Sequence, residues 1–210
     1  MILIQKTDVY GFDAAIRGMR NPMNSWAQSD SQYVDGIFCV GEKDRELMRK
    51  LVAAGTDHSK FMRMIFATMD ITAPLYWWKE YDTYKVGTVA NSCSTMHKLT
   101  AKPFEIDDFS HDKLHDSTMN ALEIVINYLN YAREMYLTAD DEHKKSYWWQ
   151  MIQLLPTSYN QKRTVSLNYA VLRNMYHARK NHKLDEWREF CRWIEEFPYS
   201  ELITMKGEKV

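Results

Sequence analysis

Residues 58–99 read HSKFMRMIFATMDITAPLYWWKEYDTYKVGTVANSCSTMHKL, and this stretch decides the fold. Its apolar run over residues 61–71 is compatible with a helix, a strand, or one leading into the other. Pro74 suits the first turn of a helix that carries a pair of tryptophans. Residues 85–89 favour a strand, and the polar residues 91–94 follow it closely. The stretch therefore predicts helix and strand together, with core-type and site-type side chains close in sequence.

The rest of the chain predicts abundant helix. Short strands are expected at residues 1–4 and 37–40, the second of the buried type. Residues 20–35 and 157–162 are rich in turn-forming residues and predict loops. Apolar residues at helical spacing predict further helices at residues 10–19, 42–54, 111–137, 142–154, 166–180 and 184–197.

The composition is typical of one globular domain. The chain has 210 residues, of which 45% are hydrophobic, and only seven are glycine and five proline, so long disordered linkers are not expected. We expect an α+β fold with a small sheet, in which helices outnumber strands. It forms a single domain over residues 1–210, with its core at about residues 10–197 and a frayed tail at 206–210.

Charge and cysteine content exclude several classes of protein. The net charge of -1 gives no general attraction to nucleic acid or to an anionic membrane. No window approaches the roughly 18 apolar residues that span a bilayer. The cysteines, Cys39, Cys93 and Cys191, are odd in number and widely spaced, which predicts reduced thiols. We expect a cytoplasmic protein with no membrane partner and no specific nucleic-acid signal.

A basic group lies towards the C-terminus. Arg173, His177 and Lys180 share one face of the expected helix, where arginine could hold a phosphate bidentately. The alternative is a solvated helical face, balanced by the carboxylates nearby, and both interpretations remain open. The group comprises Lys162, Arg163, Arg173, His177, Arg179, Lys180, His182, Lys183, Arg188 and Arg192.

The segment Asn91-Ser92-Cys93-Ser94 also allows two interpretations. Short polar side chains after a strand can bind a phosphate or a base edge, or can form a turn and a helix cap. Cys93 is either a nucleophile with His97 four residues on, or an inert thiol. His111 and His115 have no evident third ligand, so we predict no metal site.

Short motifs along the chain occur in an order that a known family shares. They are Ala14-Ala15-Ile16-Arg17, His58 with Phe61, Ala73-Pro74, Asn91-Ser92-Cys93-Ser94, Leu155-Pro156, Leu167-Asn168 and Glu186-Trp187-Arg188. Together they cover about residues 10–197. They resemble the flavin-dependent thymidylate synthases, especially short divergent relatives carried by phages and prophages, and this resemblance implies that family's fold.

The charged residues of the family's signature are replaced here. Asp82-Thr83-Tyr84 stands where the family has Arg-His-Arg, and Ser92 stands where it has a Glu. Met96 takes the place of an arginine, which leaves Lys98 as the nearest cation, and Ile152 lies near the place of another arginine. Each charge-assisted hydrogen bond lost with an arginine removes about 1.5–3 kcal/mol. Losing two or three is enough to abolish binding of the ordinary flavin and uridylate ligands.

The resemblance implies a nucleotide-binding protein that methylates dUMP or a related pyrimidine nucleotide with FAD and a folate. Arg188 would be catalytic and would polarise the pyrimidine. His58, Asn168 and Arg179 would bind the flavin cofactor. The residues implied for the nucleotide, or for another phosphate-bearing ligand, are Asn91, Ser92, Ser94 and Lys98. The family also implies a homotetramer with shared sites, in the cytoplasm of a bacterial host.

The alternative is a protein on the same scaffold that does not catalyse a reaction. It would bind or sequester a nucleotide, or engage a host protein. Aromatic side chains could then stack on a base or a partner, although packing in the core and between subunits explains them equally. They are Trp26, Tyr76, Trp77, Trp78, Tyr81 and Tyr84.

Overall fold

The structure, a computed structural model, describes residues 1–206, so most of the expected tail lies outside the described residues. The α+β class is confirmed, because these residues form eight α-helices, a four-stranded sheet and a two-stranded sheet. The strands are β1 (Leu3–Tyr10), β2 (Gln32–Val34), β3 (Ile37–Cys39), β4 (Phe66–Pro74), β5 (Thr88–Ser92) and β6 (Asn160–Asn168). The helices are α1 (Phe12–Arg20), α2 (Glu42–Ala53), α3 (Leu75–Tyr81), α4 (Asp116–Thr138), α5 (Asp141–Leu154), α6 (Tyr169–Arg179), α7 (Asp185–Ile194) and α8 (Glu201–Thr204).

The chain divides into two compact units. Unit 1 comprises Met1–Leu3, Ile71–Thr83 and Asn91–Thr164. Unit 2 comprises Ile4–Asp70, Tyr84–Ala90 and the described chain from Val165 onward. The expectation of a single domain stays a prediction.

The strands of the larger sheet follow the order β1-β4-β6-β5. Successive side chains of a strand point to opposite faces, so alternate residues are buried. In β4 the buried series includes Ala67, Met69 and Ile71. In β6 it includes Val165 and Leu167, both almost fully buried. Both strands therefore bury one face in the core.

Unit 1 is built around the contacting helices α4 and α5 and the aromatic helix α3. Helix α4 buries Leu122, Ile126 and Leu129, which are spaced so that they share one face. In α3, Trp78 is buried and its indole Nε1 donates to the backbone oxygen of Gln161 at 2.9 Å. The cluster around α4 and α5 consists of Leu99, Phe104, Phe109, Leu122, Ile126, Leu129, Ala132 and Met151.

Unit 2 has its core under α6, α7 and α8. Trp187, Phe190 and Ile194 form the buried face of α7 at helical spacing. Tyr169 begins α6 beside them, with its backbone N–H on the carbonyl of Ile65 and its hydroxyl donating to the carbonyl of Pro198 at 2.7 Å. These contacts fix the start of α6 within the unit.

A buried ion pair holds the loop between α1 and α2. The Arg20 Nε donates to the Asp44 carboxylate at 2.6 Å, and the two side chains are 4% and 0% exposed. The hydroxyls of Ser29 and Ser31 donate to the other oxygen of Asp44 at 2.5 and 2.6 Å. Arg20 also donates to the backbone carbonyls of residues 25 and 28. The segment at residues 20–35, which was expected to be a loop, is thus held to α2 by hydrogen bonds from Arg20, Ser29 and Ser31 to Asp44.

Five secondary-structure expectations are wrong in detail. The strand β3 is not buried, since Ile37 is 70% exposed in a two-stranded ribbon with β2. The residues expected as a loop at 157–162 and as a helix from 166 contain β6 instead. The strand expected at 85–89 is shifted to Thr88–Ser92, because Gly87 adopts a positive φ of 77°. The helix expected from 111 begins at Asp116.

Candidate functional site

The junction between β6 and α6 carries the first candidate residue, Asn168. This buried side chain caps α6, because its Oδ1 accepts from the backbone N–H of Val171 at 3.1 Å. The loop that precedes β5 passes close to it. A Cβ added at Gly87 would lie 2.9 Å from the Asn168 Nδ2, so only glycine fits there without a shift. The amide of Asn168 is therefore held between its own helix and this loop.

Arg179 lies at the other end of α6, among aromatic rings. Its Nε donates to the hydroxyl of Tyr84 at 2.9 Å. Its guanidinium carbon lies 5.6 Å from the centre of the Tyr84 ring and 5.0 Å from that of Trp187. The two rings meet edge to face at 6.0 Å. The arrangement holds a positive charge in place by cation–π contact.

The expected catalytic residue, Arg188, lies in the first turns of α7. Its Nη1 donates to the carbonyl of His182 at 2.6 Å and to that of Lys183 at 3.2 Å. Its Nη2 forms an ion pair with Asp185. These bonds tie α7 to the connection that follows α6.

His58, the third residue expected at a flavin, is exposed and lines a cavity of about 750 Å³ in unit 2. Asp57, Lys60 and Phe61 line the same cavity, with residues of α1 and α2. Unit 2 thus contains His58, Asn168, Arg179 and Arg188.

The residues expected at the nucleotide lie in unit 1. Asn91 and Ser92 are exposed at the end of β5, and Lys98 is exposed as well. The Ser94 hydroxyl accepts from the backbone N–H groups of Met96 and His97 at 3.2 and 3.0 Å. Ser94 therefore forms the turn that the sequence allowed, while its own O–H hydrogen remains available as a donor.

The backbone at the neighbouring cysteine is fixed by β6. The N–H of Cys93 donates to the carbonyl of Lys162 at 2.9 Å. The side-chain amide of Gln161 donates to the carbonyl of Cys93 at 2.7 Å. The thiol itself is exposed, as is the side chain of His97. The backbone that carries the exposed polar residues of this segment is thus held by two hydrogen bonds to β6.

Comparison with known proteins finds similarity in the structure but none in the sequence-based searches. No protein-family model matches the chain, and no curated protein matches it. Among solved structures, the chain is similar to thymidylate synthase X (ThyX) from Helicobacter pylori with FAD and dUMP. The TM-score is 0.68 at 17% identity, over 96% of this chain and 96% of that chain. A second structure of the H. pylori enzyme with FAD and dUMP gives a TM-score of 0.67 at 18% identity, over 96% and 95%.

The chain has the fold of a flavin-dependent thymidylate synthase. A UMP/dUMP methylase, PolB from Streptomyces cacaoi bound with 5-Br dUMP, is also similar, with a TM-score of 0.60 at 14% identity over 99% of this chain and 95% of that chain. The expected fold class is therefore confirmed.

Within this thymidylate-synthase fold, the residue that begins Asp82-Thr83-Tyr84 has a partner that the sequence did not indicate. The Arg163 Nη1 donates to the Asp82 carboxylate at 2.7 Å. The Arg163 guanidinium also lies 4.2 Å from the centre of the Trp78 ring, and its Nε donates to Gln161. At the position where the resemblance implies an arginine, this chain thus has a carboxylate that is bound by an arginine of β6.

Sequence reasoning missed Gly87 and the pairing of Arg163 with Asp82. In the sequence, only the residue type indicates the positive φ at Gly87. Glycine also occurs at many positions with a negative φ, so the residue type alone does not predict it. Arg163 was named in the basic group, but its partner follows from β6, which was not expected. Among residues 1–206, no three metal-ligating side chains cluster, and no helix is long and apolar enough to cross a bilayer.

Proposed function

We propose that this protein binds a uridine nucleotide such as dUMP. The supporting observation is a ligand that the three similar structures have in common. The H. pylori structures contain dUMP together with FAD, and the S. cacaoi methylase contains 5-Br dUMP. Each similarity extends over at least 95% of both chains. The nucleotide therefore has broader support than the flavin.

We assign the phosphate of that nucleotide to the segment after β5. The Ser94 hydroxyl, which accepts from two backbone N–H groups, can still donate to a phosphate oxygen. Lys98, exposed a turn further on, supplies a positive charge. Asn91 and Ser92 are exposed at the end of the strand and can donate to the sugar or to the base. These four residues make one polar surface of unit 1.

Calorimetric titration with dUMP, and with deoxyuridine as the ligand without phosphate, tests this assignment. Lys98→Met should weaken dUMP binding by about tenfold, because one charge-assisted contact is lost, and should leave deoxyuridine binding unchanged. Lys43→Met, at an exposed lysine of α2, is the matched control. The proposal fails if dUMP does not bind at millimolar concentration, or if Lys43→Met has the same effect as Lys98→Met.

The finer prediction is methylation of dUMP with FAD and a folate. In this chain, Asn168 uses its oxygen to cap α6, and its nitrogen faces Gly87. Arg179 uses its Nε on Tyr84, and His58 lines a cavity together with residues of α1 and α2. Asn168 and Arg179 thus each have a polar contact with which a flavin would compete.

These contacts of Asn168 and Arg179 favour a second candidate, binding of the nucleotide without turnover. The guanidinium of Arg188 is already bonded to two carbonyls and to Asp185. To polarise a pyrimidine, it would have to use its Nε–H or the second hydrogen of Nη2, or release one of these bonds. The absorbance spectrum of the purified protein, followed by titration with FAD, separates the candidates. Flavin bands together with methyl transfer to dUMP would favour the enzyme, whereas dUMP binding with no flavin uptake would favour the binding protein.

We further propose that the protein is a homo-oligomer, with the tetramer as the expected form. Helix α4 carries an exposed apolar stripe formed by Ile124, Tyr128 and Tyr131, on a face other than its core face. Exposed apolar patches of this kind often mark protein contacts. Light scattering tests the proposal, and a monomer at micromolar concentration would exclude it. The phage or prophage origin and the bacterial cytoplasm stay predictions.

A further inference from the structure

A second, smaller cavity of about 210 Å³ lies in unit 2. It is formed by the C-terminal end of α2, the turn at residues 55–59, the 3-10 turn Lys60–Met64 and helix α6. Its polar lining consists of Thr56, Ser59, Arg63 and Arg173. None of these residues belongs to the nucleotide surface or to the flavin set discussed above.

The charges at this cavity are all positive. Arg63 and Arg173 both line it, and no carboxylate does. Asp57, from the same turn, lines the larger cavity instead. Among residues 1–206, neither arginine makes an ion pair, so the two guanidinium groups lack a local counter-charge.

Arg173 is held in position by neutral groups. Its Nη1 donates to the carbonyls of Leu202 and Ile203 at 3.1 and 3.3 Å. Burial lowers the pKa of its guanidinium below the ordinary value, because the charged form is partly removed from water. Two backbone carbonyls fix the direction of the side chain and leave its charge uncompensated. An anion in the cavity would supply the missing charge.

We propose that this cavity binds the phosphate group of a small ligand, with Arg63 and Arg173 as charge partners and Thr56 and Ser59 as hydroxyl donors. Guanidinium groups match phosphate oxygens bidentately. A phosphate monoester carries up to two negative charges and can neutralise both arginines, whereas a carboxylate neutralises one. The volume equals that of about seven water molecules at about 30 Å³ each, which is room for a phosphate and the atoms attached to it.

Calorimetric titration of the full chain with inorganic phosphate and pyrophosphate, at constant ionic strength and without nucleotide, tests the proposal. Wild type should bind with a saturable isotherm. Arg63→Met should weaken binding by about tenfold or more, since one charge-assisted contact is lost. Arg49→Met is the matched control. Arg49 is exposed on α2 and does not line the cavity, so this substitution removes the same charge from a different place.

Arg173→Met should weaken binding at least as much, with circular dichroism to confirm folding because Arg173 also holds the carbonyls of α8. If that variant does not fold, the exposed Arg63 carries the test alone. The absence of saturable binding, an equal loss in Arg49→Met, or tighter binding of acetate than of phosphate would each overturn the proposal. The probes contain no pyrimidine, so failure of dUMP to bind would count only against the uridine-nucleotide proposal.

Discussion

Two arginine–aspartate pairs of nearly equal length lie in different surroundings. Arg20 and Asp44 meet at 2.6 Å in unit 2, with side chains 4% and 0% exposed. Arg163 and Asp82 meet at 2.7 Å in unit 1, with side chains 14% and 51% exposed. The residue types and the distance are alike, but water reaches only the second pair.

The difference teaches what each pair does. Around Asp44, two serine hydroxyls and one arginine supply the hydrogen bonds that water would otherwise make, so removing a partner leaves a buried charge. Around Asp82, water can replace the arginine, and the pair mainly positions Arg163 over the Trp78 ring. The first pair stabilises the fold, while the second orients an arginine near the surface.

Removing the buried carboxylate should give the largest effect. We expect Asp44→Ala to lower the free energy of unfolding by about 3–5 kcal/mol, because Arg20 is left buried without its partner. Urea denaturation measures the change, and Asp107→Ala, at an exposed aspartate, is the control. The double variant Arg20→Met with Asp44→Leu should recover part of the loss. No recovery in the double variant would mean that the buried charge is not the cause.

Acid should also weaken the buried pair. Burial by itself raises the pKa of the Asp44 carboxyl, but the bonds from Ser29, Ser31 and Arg20 outweigh it and hold that pKa below its ordinary value of 3.8. A carboxyl with a lowered folded-state pKa contributes stability above its unfolded-state pKa and loses it as the pH falls through the folded one. Stability should therefore fall below about pH 4, with a slope of at most about 1.4 kcal/mol per pH unit from this group.

Unfolding followed from pH 6 to pH 2 measures that slope, with Asp44→Asn as the comparison. The variant should lack this component of the acid dependence, since its side chain does not titrate. An identical slope in wild type and variant would assign the acid loss to other carboxyls.

Breaking the half-exposed pair should matter much less. Asp82→Ala should cost about 1 kcal/mol or less, because water solvates the half-exposed Asp82 carboxylate and screens its attraction to Arg163. The same urea experiment checks this value against the Asp44 result. A loss of similar size in both variants would remove the distinction drawn between the pairs.

The smallest effect is expected from Arg163→Lys, which keeps the charge at Asp82 and changes the contact with the ring. Lysine lacks the planar guanidinium, so part of the cation–π contact with Trp78 should be lost, at a cost of about 0.5–1 kcal/mol. Tryptophan fluorescence should report a changed environment at Trp78. Unchanged fluorescence and stability would show that the stacking is incidental.

Much of the helical part of the fold could be predicted from the sequence, because long amphipathic segments have a clear period. Helix α2 was expected at 42–54 and occurs at Glu42–Ala53. The strand β6 was missed although Gln161, Val165 and Leu167 are buried on alternate positions. Its polar residues between them resemble a loop, and its end runs without a break into α6. Sequence pattern alone did not mark where a period of two gives way to one of 3.6.

The candidate site was harder to predict than the fold. Motif position predicted a flavin-binding role for Asn168 and a catalytic role for Arg188, but it carried no information on their local partners. The structure shows that the first caps a helix and the second bonds to the connection before α7. Such contacts depend on backbone groups, which every residue carries, so side-chain patterns do not reveal them.

The strand order has a consequence for synthesis on the ribosome. Strand β4 ends at Pro74, and its neighbour β6 begins only at Asn160, about 85 residues later. At about 5–20 residues per second, β4 waits roughly 4–17 s with one edge unpaired. Its alternating apolar side chains make that edge a site for pairing with other chains. Nascent chains that stop before Asn160 should therefore aggregate. The sheet is completed only late in synthesis, after β6 has been made.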